Sequence, residues 1–285
     1  MNALSFENKQ SYYTEIKGVK ALVDYTSERL KIIDYPCITE EILMSVVNFA
    51  KEKKLGKIIS NCHIRLLKPF RNMGFKVEGI INGYFNGEDA YCVSLFIDKN
   101  REISNLYEEE DALLYKCVIK NKKSFTEGID SYMIRNAEPS DIPQMIDIFS
   151  SIFETYPSPV FNDNYLRKVM NGQVLFKVAV EDGKIISIAS ADMDKLNKNA
   201  EITDCATYPE HRGRGILSNL IHSLEQDLQQ EGFLTLYSLS RAINPGINSA
   251  LSKLGYRYCG RLINNCHICG GFEDMNIWVK ELKKG

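Results

Sequence analysis

The run Thr207-Tyr208-Pro209-Glu210-His211-Arg212-Gly213-Arg214-Gly215-Ile216-Leu217 holds the most chemistry in this chain. It reads as a strand that breaks into a glycine loop and opens directly into a helix. Free N–H groups at a helix start, with the positive end of the helix dipole, bind phosphate oxygens, and glycines let the backbone approach such a ligand closely. Arg212 and Arg214 add positive charge. Taken alone, the Arg-Gly-Arg-Gly motif suits a tight turn with two surface arginines better than a site. A second candidate is Cys266-His267-Ile268-Cys269, two thiols at zinc-ligand spacing. That is half of a tetrahedral site. With no second Cys pair nearby and His63 in the other half of the chain, it reads as a turn with two packed thiols, and no metal is expected. His211 and His222 read as a loop residue and a helix-surface residue.

The elements that position the loop follow from periodicity. A strand at 132–136 precedes Pro139-Ser140-Asp141, where Ser140 is expected to cap a helix through Ile152, and Pro157 and Pro159 stop that helix. A short helix at 162–170 leads to apolar strands at 175–181 and 184–193 joined by Asp182-Gly183, a hairpin signal. A strand at 201–208 feeds the glycine loop. The helix after it, 216–231, carries Leu217, Leu220, Ile221, Leu224 and Leu228 on one face and closes at Gly232. A strand at 234–239, a helix at 247–254 closed by Gly255, and strands at 256–263 and 275–280 complete the order βαα-βββ-α-β-α-ββ. The first half repeats this ending: Met73-Gly74-Phe75-Lys76-Val77-Glu78-Gly79 aligns with Leu254-Gly255-Tyr256-Arg257-Tyr258-Cys259-Gly260. Upstream, a helix at 39–54, a strand at 57–60 and a helix near 64–72 fit the same α-β-α-ββ tail, and a strand at 91–97 follows Glu88-Asp89. The two halves therefore read as related domains. The acidic run Glu108–Asp111 reads as the solvated start of a helix ending near Cys117, and the polar stretch from Lys120 to Gly128 as the boundary between domains.

A chain of 285 residues accommodates two such domains, and 44% hydrophobic with 25% charged residues is ordinary for a globular protein. The near balance of 35 Lys+Arg against 37 Asp+Glu gives no general field for nucleic acid or an anionic membrane, so neither is an expected partner. Met1 to Gln10 lacks a charged-then-apolar secretory pattern, no apolar run reaches the roughly 18 residues of a membrane helix, and eight widely spaced cysteines suit reduced thiols. A cytoplasmic protein is expected.

The glycine segment resembles the pyrophosphate loop of the GNAT acetyltransferase superfamily, whose pattern is Gln/Arg-x-x-Gly-x-Gly/Ala after a strand often ending Val-x-Pro-Glu. Arg212 and Gly215 fit, while Leu217 departs from the final Gly/Ala. The element order of 132–280 is similar to that of the superfamily, and Asn244, Asn248 and Leu254-Gly255-Tyr256 match its second cofactor-binding segment. The resemblance implies a mixed α/β protein: a GNAT fold with a central, mostly antiparallel twisted sheet at 129–285, preceded by a degenerate GNAT-like α/β domain at 1–128 that lacks a phosphate loop. It implies acetyl-CoA as co-substrate, held by Thr207, Arg212, Gly213, Arg214, Gly215, Ile216, Leu217, Asn244 and Asn248. It further implies direct transfer, in which an amine attacks the thioester and a backbone N–H near Thr207 holds the developing oxyanion. An alkyl ammonium, with a pKa of about 10.4, must lose a proton first, and Glu201 or Asp204 is the candidate base. Strand alternation puts these two on opposite faces, with Glu201 favoured. The superfamily's usual thiolate-protonating Tyr is Leu251 here, so that proton is expected from elsewhere, Tyr258 or water, or not at all.

Three strings, Phe153 to Phe161, Ala200 to Thr207 and Asn264 to Trp278, are together similar to the β-lysine N6-acetyltransferase family. That resemblance implies acetylation of the terminal amine of 3,6-diaminohexanoate, giving a compatible solute. Such an acceptor needs carboxylates, hydroxyls and one cation around it: Glu154, Tyr156, Asp204 and Glu273 supply the first two kinds, and Arg241 or Arg261 can meet its carboxylate. The first domain would cover the acceptor site or mediate a homodimer. Acetylation of another small amine such as lysine, ornithine or a polyamine, or a non-catalytic acyl-CoA sensor, are the alternatives.

Overall fold

A computed structural model describes residues 10–120 and 131–282. The predicted boundary at Lys120–Gly128 lies outside these residues except for Lys120, which ends a helix. The first half runs β1 (Tyr12–Ile16), β2 (Val19–Asp24), β3 (Arg29–Asp34), α1 (Glu40–Glu52), β4 (Lys57–Cys62), α2 (Leu67–Asn72), β5 (Lys76–Phe85) and β6 (Glu88–Phe96), and leads to α3 (Tyr107–Lys120). The second runs β7 (Met133–Asn136), α4 (Ile142–Ile152), α5 (Asp163–Met170), β8 (Val174–Glu181), β9 (Lys184–Asp194), β10 (Asn199–Thr207), α6 (Ile216–Gln230), β11 (Thr235–Arg241), α7 (Pro245–Lys253), β12 (Arg257–Ile268) and β13 (Gly271–Glu281).

All strands join one sheet in the order β1-β2-β3-β4-β6-β5-β12-β13-β11-β10-β9-β8-β7. Read outward from its middle, that order contains the same pattern twice. Strands β1 to β6 and strands β8 to β13 are arranged identically, each half with a single parallel pair, β3 with β4 and β10 with β11. Each parallel pair is bridged by a helix, α1 or α6, because a parallel connection needs a crossover. The halves meet where Gly79 of β5 pairs antiparallel with Gly260 of β12, the two glycines that the sequence alignment superposes. A Cβ on Gly260 would lie 2.4 Å from Glu78 O and 2.5 Å from the Gly79 Cα, and its φ is +144°. No side chain fits there.

Each half packs its crossover helix on one face of its sheet. Leu43, Val46 and Val47 of α1 bury against β2, β3 and β4, and Leu220, Ile221, Leu224 and Leu228 of α6 against β9, β10 and β11. On the other face of the second half, Ile142, Met145, Ile148 and Phe149 of α4 share a core with Ile81, Ala90 and Cys92 of the first half. Among the described residues the first half has no helices of its own on that face; it lies against the second.

Several predicted details are corrected. Strands β1 to β3 were not anticipated, and β12 and β13 each extend toward a tighter turn at Cys269-Gly270 than their apolar cores suggested. Ser140 caps nothing: Pro139–Asp141 form a 3-10 turn in which Asp141 accepts from the Glu138 N–H at 2.7 Å and from Arg135 at 2.6 and 2.8 Å. The acidic run is not wholly solvated either. Glu110 is buried beside Arg261 and Asp274, and burial, then Asp274, raises its carboxyl well above the usual range. The Asp182-Gly183 hairpin does form, with φ of +49° and +78° between paired Glu181 and Lys184.

Gly260→Ala should destabilise the protein by about 1–3 kcal/mol or more, because it adds a strained φ to a backbone clash. Urea unfolding checks this, and an unchanged midpoint would show that β5 and β12 separate without cost.

Candidate active site

Pairing between β10 and β11 stops at Glu201 and Tyr237. Beyond that point the strands diverge, and a cleft of about 760 Å³ opens between Ile202–Thr207 on one side and Ser238–Arg241 with the start of α7 on the other. The glycine loop closes one end; Phe153, Tyr156, Ile268 and Met275 line the other.

The loop end is built for an anion. Gly213 and Gly215 have φ of +79° and +80°, and a Cβ on either would meet nothing within 4 Å, so the loop needs glycine for its turn and leaves open space in front of it. Gly215 sits at the N-cap of α6 without a side-chain cap, and the first bond within the helix runs from Asn219 N to Gly215 O. The N–H groups of Ile216, Leu217 and Ser218 precede that bond and face the cleft end with the positive helix dipole. The matching helix of the first half, α1, begins instead with Thr39 capping Ile42 N and with Glu40 and Glu41 in its first turn, which repels an anion.

Of the predicted cofactor residues, Thr207, Arg212, Gly213, Gly215, Ile216, Leu217 and Asn244 line the cleft, and Arg214 and Asn248 do not. The Arg214 guanidinium turns away to grip Glu181 at 2.8 and 3.1 Å, holding that carboxyl down to about 2, and also meets Ser131. It fastens the loop to the β8–β9 hairpin. Asn248 is fully buried and its amide is saturated: Oδ1 accepts from Ser240, Asn276 and Trp278, and Nδ2 donates to the carbonyls of Arg241 and Asn244. Asn244 also spends its Oδ1 on capping α7. Lys253 and Ser218 line the cleft and were missed; neither stands in a recognisable motif.

The other end depends on a β-bulge. The β9–β10 register shifts between Thr203 and Ala206, and Asp204 has φ of +46°. Before the bulge, Ala200 and Ile202 face α6; after it, Cys205 faces α6 and Ala206 faces α4. The extra residue inverts alternation, so Glu201, Thr203 and Asp204 share the α4 face. This overturns the expectation that Glu201 and Asp204 lie on opposite faces. Asp192 joins them, directly opposite Glu201 in register. Burial pushes Glu201 up to about 7, with the charges of Asp192 and Asp204 adding, while Lys31 and a 3.3 Å bond from the Tyr237 hydroxyl oppose the rise. Burial likewise raises Asp204 to about 6, offset by Ser190 at 2.8 Å and by the Tyr156 hydroxyl.

Thr207 is held from both sides. Its hydroxyl meets Ser187 at 2.7 Å and its carbonyl accepts from Arg212 at 3.2 Å. Tyr208 N bonds Ile186 O across to β9, so ladder alternation turns the Thr207 N–H away from β9, toward the opening beside β11.

The predicted acceptor residues separate. Tyr156 packs its ring on Phe153, tilted by 31° at 4.4 Å, and lines the cleft with Asp204. Arg241 lines it too, but its guanidinium is engaged by Glu273 at 2.6 Å, so these two candidates neutralise each other. Glu154 is exposed beside Gly270, outside the cleft. Arg261 is buried against Asn276 at 2.9 Å, away from the cleft. Tyr258, offered as a proton source, packs on Trp278 instead, and Leu251 is buried beneath α6. Cys266 accepts from Arg29 and Cys269 from Arg241, and no group of three metal-ligating side chains occurs among the described residues.

Residues 142–256 match the Acetyltransferase (GNAT) family. The chain is 39% identical over 264 residues to a β-lysine N6-acetyltransferase of Methanosarcina mazei, covering 85% of this chain and 97% of that one. The chain belongs to the β-lysine N6-acetyltransferase family of GNAT enzymes. It is also 34% identical to the N-acetyltransferase YodP of Bacillus subtilis, over 93% of this chain and 97% of that one, and 30% identical to a β-lysine N6-acetyltransferase of Methanococcus maripaludis, over 89% and 93%. The enzyme is thus an acetyl-CoA-dependent N-acetyltransferase with a GNAT fold. No described helix is long and apolar enough to cross a membrane.

Two outcomes are expected. Arg212→Ala should raise the KM for acetyl-CoA about tenfold, as loss of one charge-assisted contact does, with unfolding little changed; Arg214→Met should lower thermal stability instead. A carboxyl raised to about 7 ionises, and becomes a base, only as pH climbs through that value. The kcat/KM profile should therefore rise through an acid limb near 7, and Glu201→Gln should abolish that limb and cost about 10²–10⁴-fold.

Proposed function

We propose that the enzyme acetylates the terminal amine of β-lysine, 3,6-diaminohexanoate, to give N6-acetyl-β-lysine, a compatible solute. The observation that carries this reading is the gathering of Asp192, Glu201 and Asp204 on one face, two of them directly opposed in register. Like charges placed so are unfavourable in an empty sheet, and a diammonium acceptor offsets that cost. The names of two relatives add support.

The glycine loop, Arg212 and the free N–H groups of α6 hold the pyrophosphate of acetyl-CoA, which supplies an acetyl thioester to the gap between β10 and β11. Glu201 takes the proton from the N6 ammonium, directly or through one water, and Asp204 holds the amine in place. The Thr207 N–H donates to the thioester oxygen as negative charge develops there. The new bond joins N6 to the acetyl carbon, the nitrogen gives up its second proton to water, the carbon–sulfur bond breaks, and CoA leaves as thiolate; no side chain in the cleft is assigned to protonate it. We assign residues 129–285 to the catalytic domain and 1–128 to a related domain that has lost its phosphate loop.

CoA release measured with β-lysine, α-lysine, ornithine and spermidine, with mass analysis of the product, tests this. Turnover fastest with β-lysine and an acetyl group on N6 is the expected result; equal slow rates on all four would overturn the substrate assignment.

A further inference from the structure

The first half packs against the α4 face of the second, on the side that its own helices leave bare. On β3, Leu30 and Ile32 enter the core under α1, so alternation sends Arg29 and Lys31 to the opposite face. Arg29 locates that face. Its Nη1 donates to Asn265 O at 2.8 Å and to Cys266 Sγ at 3.2 Å, both on β12 of the second half. The tip of β5 gives a second tie. Tyr84 packs its ring on Tyr237 at 5.5 Å, and its carbonyl accepts from Asn199 at 2.7 Å, while the Tyr237 hydroxyl donates to Glu201. Lys31 thus stands on the face turned toward the carboxylates, and its charge lowers both Glu201 and Asp192 against the burial that raises them.

The charges on this face form a pattern. Arg29 is committed to Asp24 at 2.9 Å and Arg241 to Glu273, whereas Lys31 is exposed. In β-lysine the 3-ammonium and the carboxylate sit at the same end, separated by a single methylene. A cation from the first half and an anion from the second, Lys31 and Asp192, match the charges of that end, and the N6 amine at the other end is left to Glu201 and Asp204.

We propose that Lys31, contributed by the N-terminal half, binds the carboxylate of the acceptor, with Asp192 facing its 3-ammonium, so that the N-terminal half sets acceptor specificity. This rests on the substrate reading above. Lys31 holds substrate and takes no part in proton transfer, so its loss acts on KM.

The test compares β-lysine with 1,4-diaminobutane, which keeps both amines at the same separation and lacks the carboxylate. Lys31→Met should raise the KM for β-lysine about 10- to 100-fold, the worth of one charge-assisted contact, with kcat nearly unchanged. It should leave the KM for 1,4-diaminobutane unchanged or lower, and Lys31→Arg should restore most of the affinity for β-lysine. Equal KM shifts for the two acceptors, a fall in kcat instead of a rise in KM, or no shift would overturn the role of Lys31. A wild-type enzyme that handles 1,4-diaminobutane as well as β-lysine would instead sink the substrate reading, and this inference with it.

Discussion

The parallel pairing of β10 with β11 covers only Asn199–Glu201 against Thr235–Tyr237, and everything the enzyme does depends on its ending there. A parallel pair that ran on would bury the backbone of Ile202 to Thr207 in a ladder and leave no gap for a thioester. The bulge at Asp204 and the divergence of the strands are coupled, because an extra residue in β10 bends the strand away from its partner and raises its twist. One local irregularity opens the cleft, frees the Thr207 N–H from the ladder and moves Asp204 to the face of Glu201.

Hydrogen bonds that have no direct part in the chemistry hold this open arrangement in place. Asn248 ties the carbonyl ends of β11 to the start of α7 and to β13, which fixes the wall opposite the bulge. Arg214 pins the glycine loop to the β8–β9 hairpin, and Ser187 and Ser190 anchor Thr207 and Asp204 from β9. Two of these residues fit the sequence pattern of cofactor ligands. Their role in the structure is to shape the site, and a motif cannot tell a residue that touches a ligand from one that holds the residues that do.

The duplication sets up the other side of the site. Both halves build the same strand arrangement, but only the second begins its crossover helix with glycines and arginine; the first begins α1 with two glutamates. Among the described residues the first half has no counterparts of α4 and α5, and burying that sheet face against the second brings Tyr84 onto Tyr237, whose hydroxyl meets Glu201. Joining the halves through two glycines lets the strands approach closely enough for one sheet to continue through both.

Much of this was legible in the residues. The Asp182-Gly183 turn, the amphipathic stripe of α6, the glycine loop and the repeated helix–Gly–aromatic–strand ending are local patterns, and local backbone preference decides them. The strands of β1 to β3 left a weaker trace, since each is only 5 or 6 residues long and no Asn-Gly or Asp-Gly turn marks them off. The position of the bulge was not legible, because Asp204 adopts a left-handed backbone with no glycine to announce it, and strict alternation then assigned the wrong face. Nor could the sequence decide among arginines: Arg214, Arg241 and Arg261 are chemically alike, and only the folded chain determines which carboxylates each one meets. The sequence by itself determined the order of elements in the second half, the glycine loop and the family, all of which reside in contiguous residues. Tertiary structure alone decided which carboxylates converge, because Asp192 comes from β9 and Glu201 and Asp204 from β10, and they meet only through strand register and the bulge.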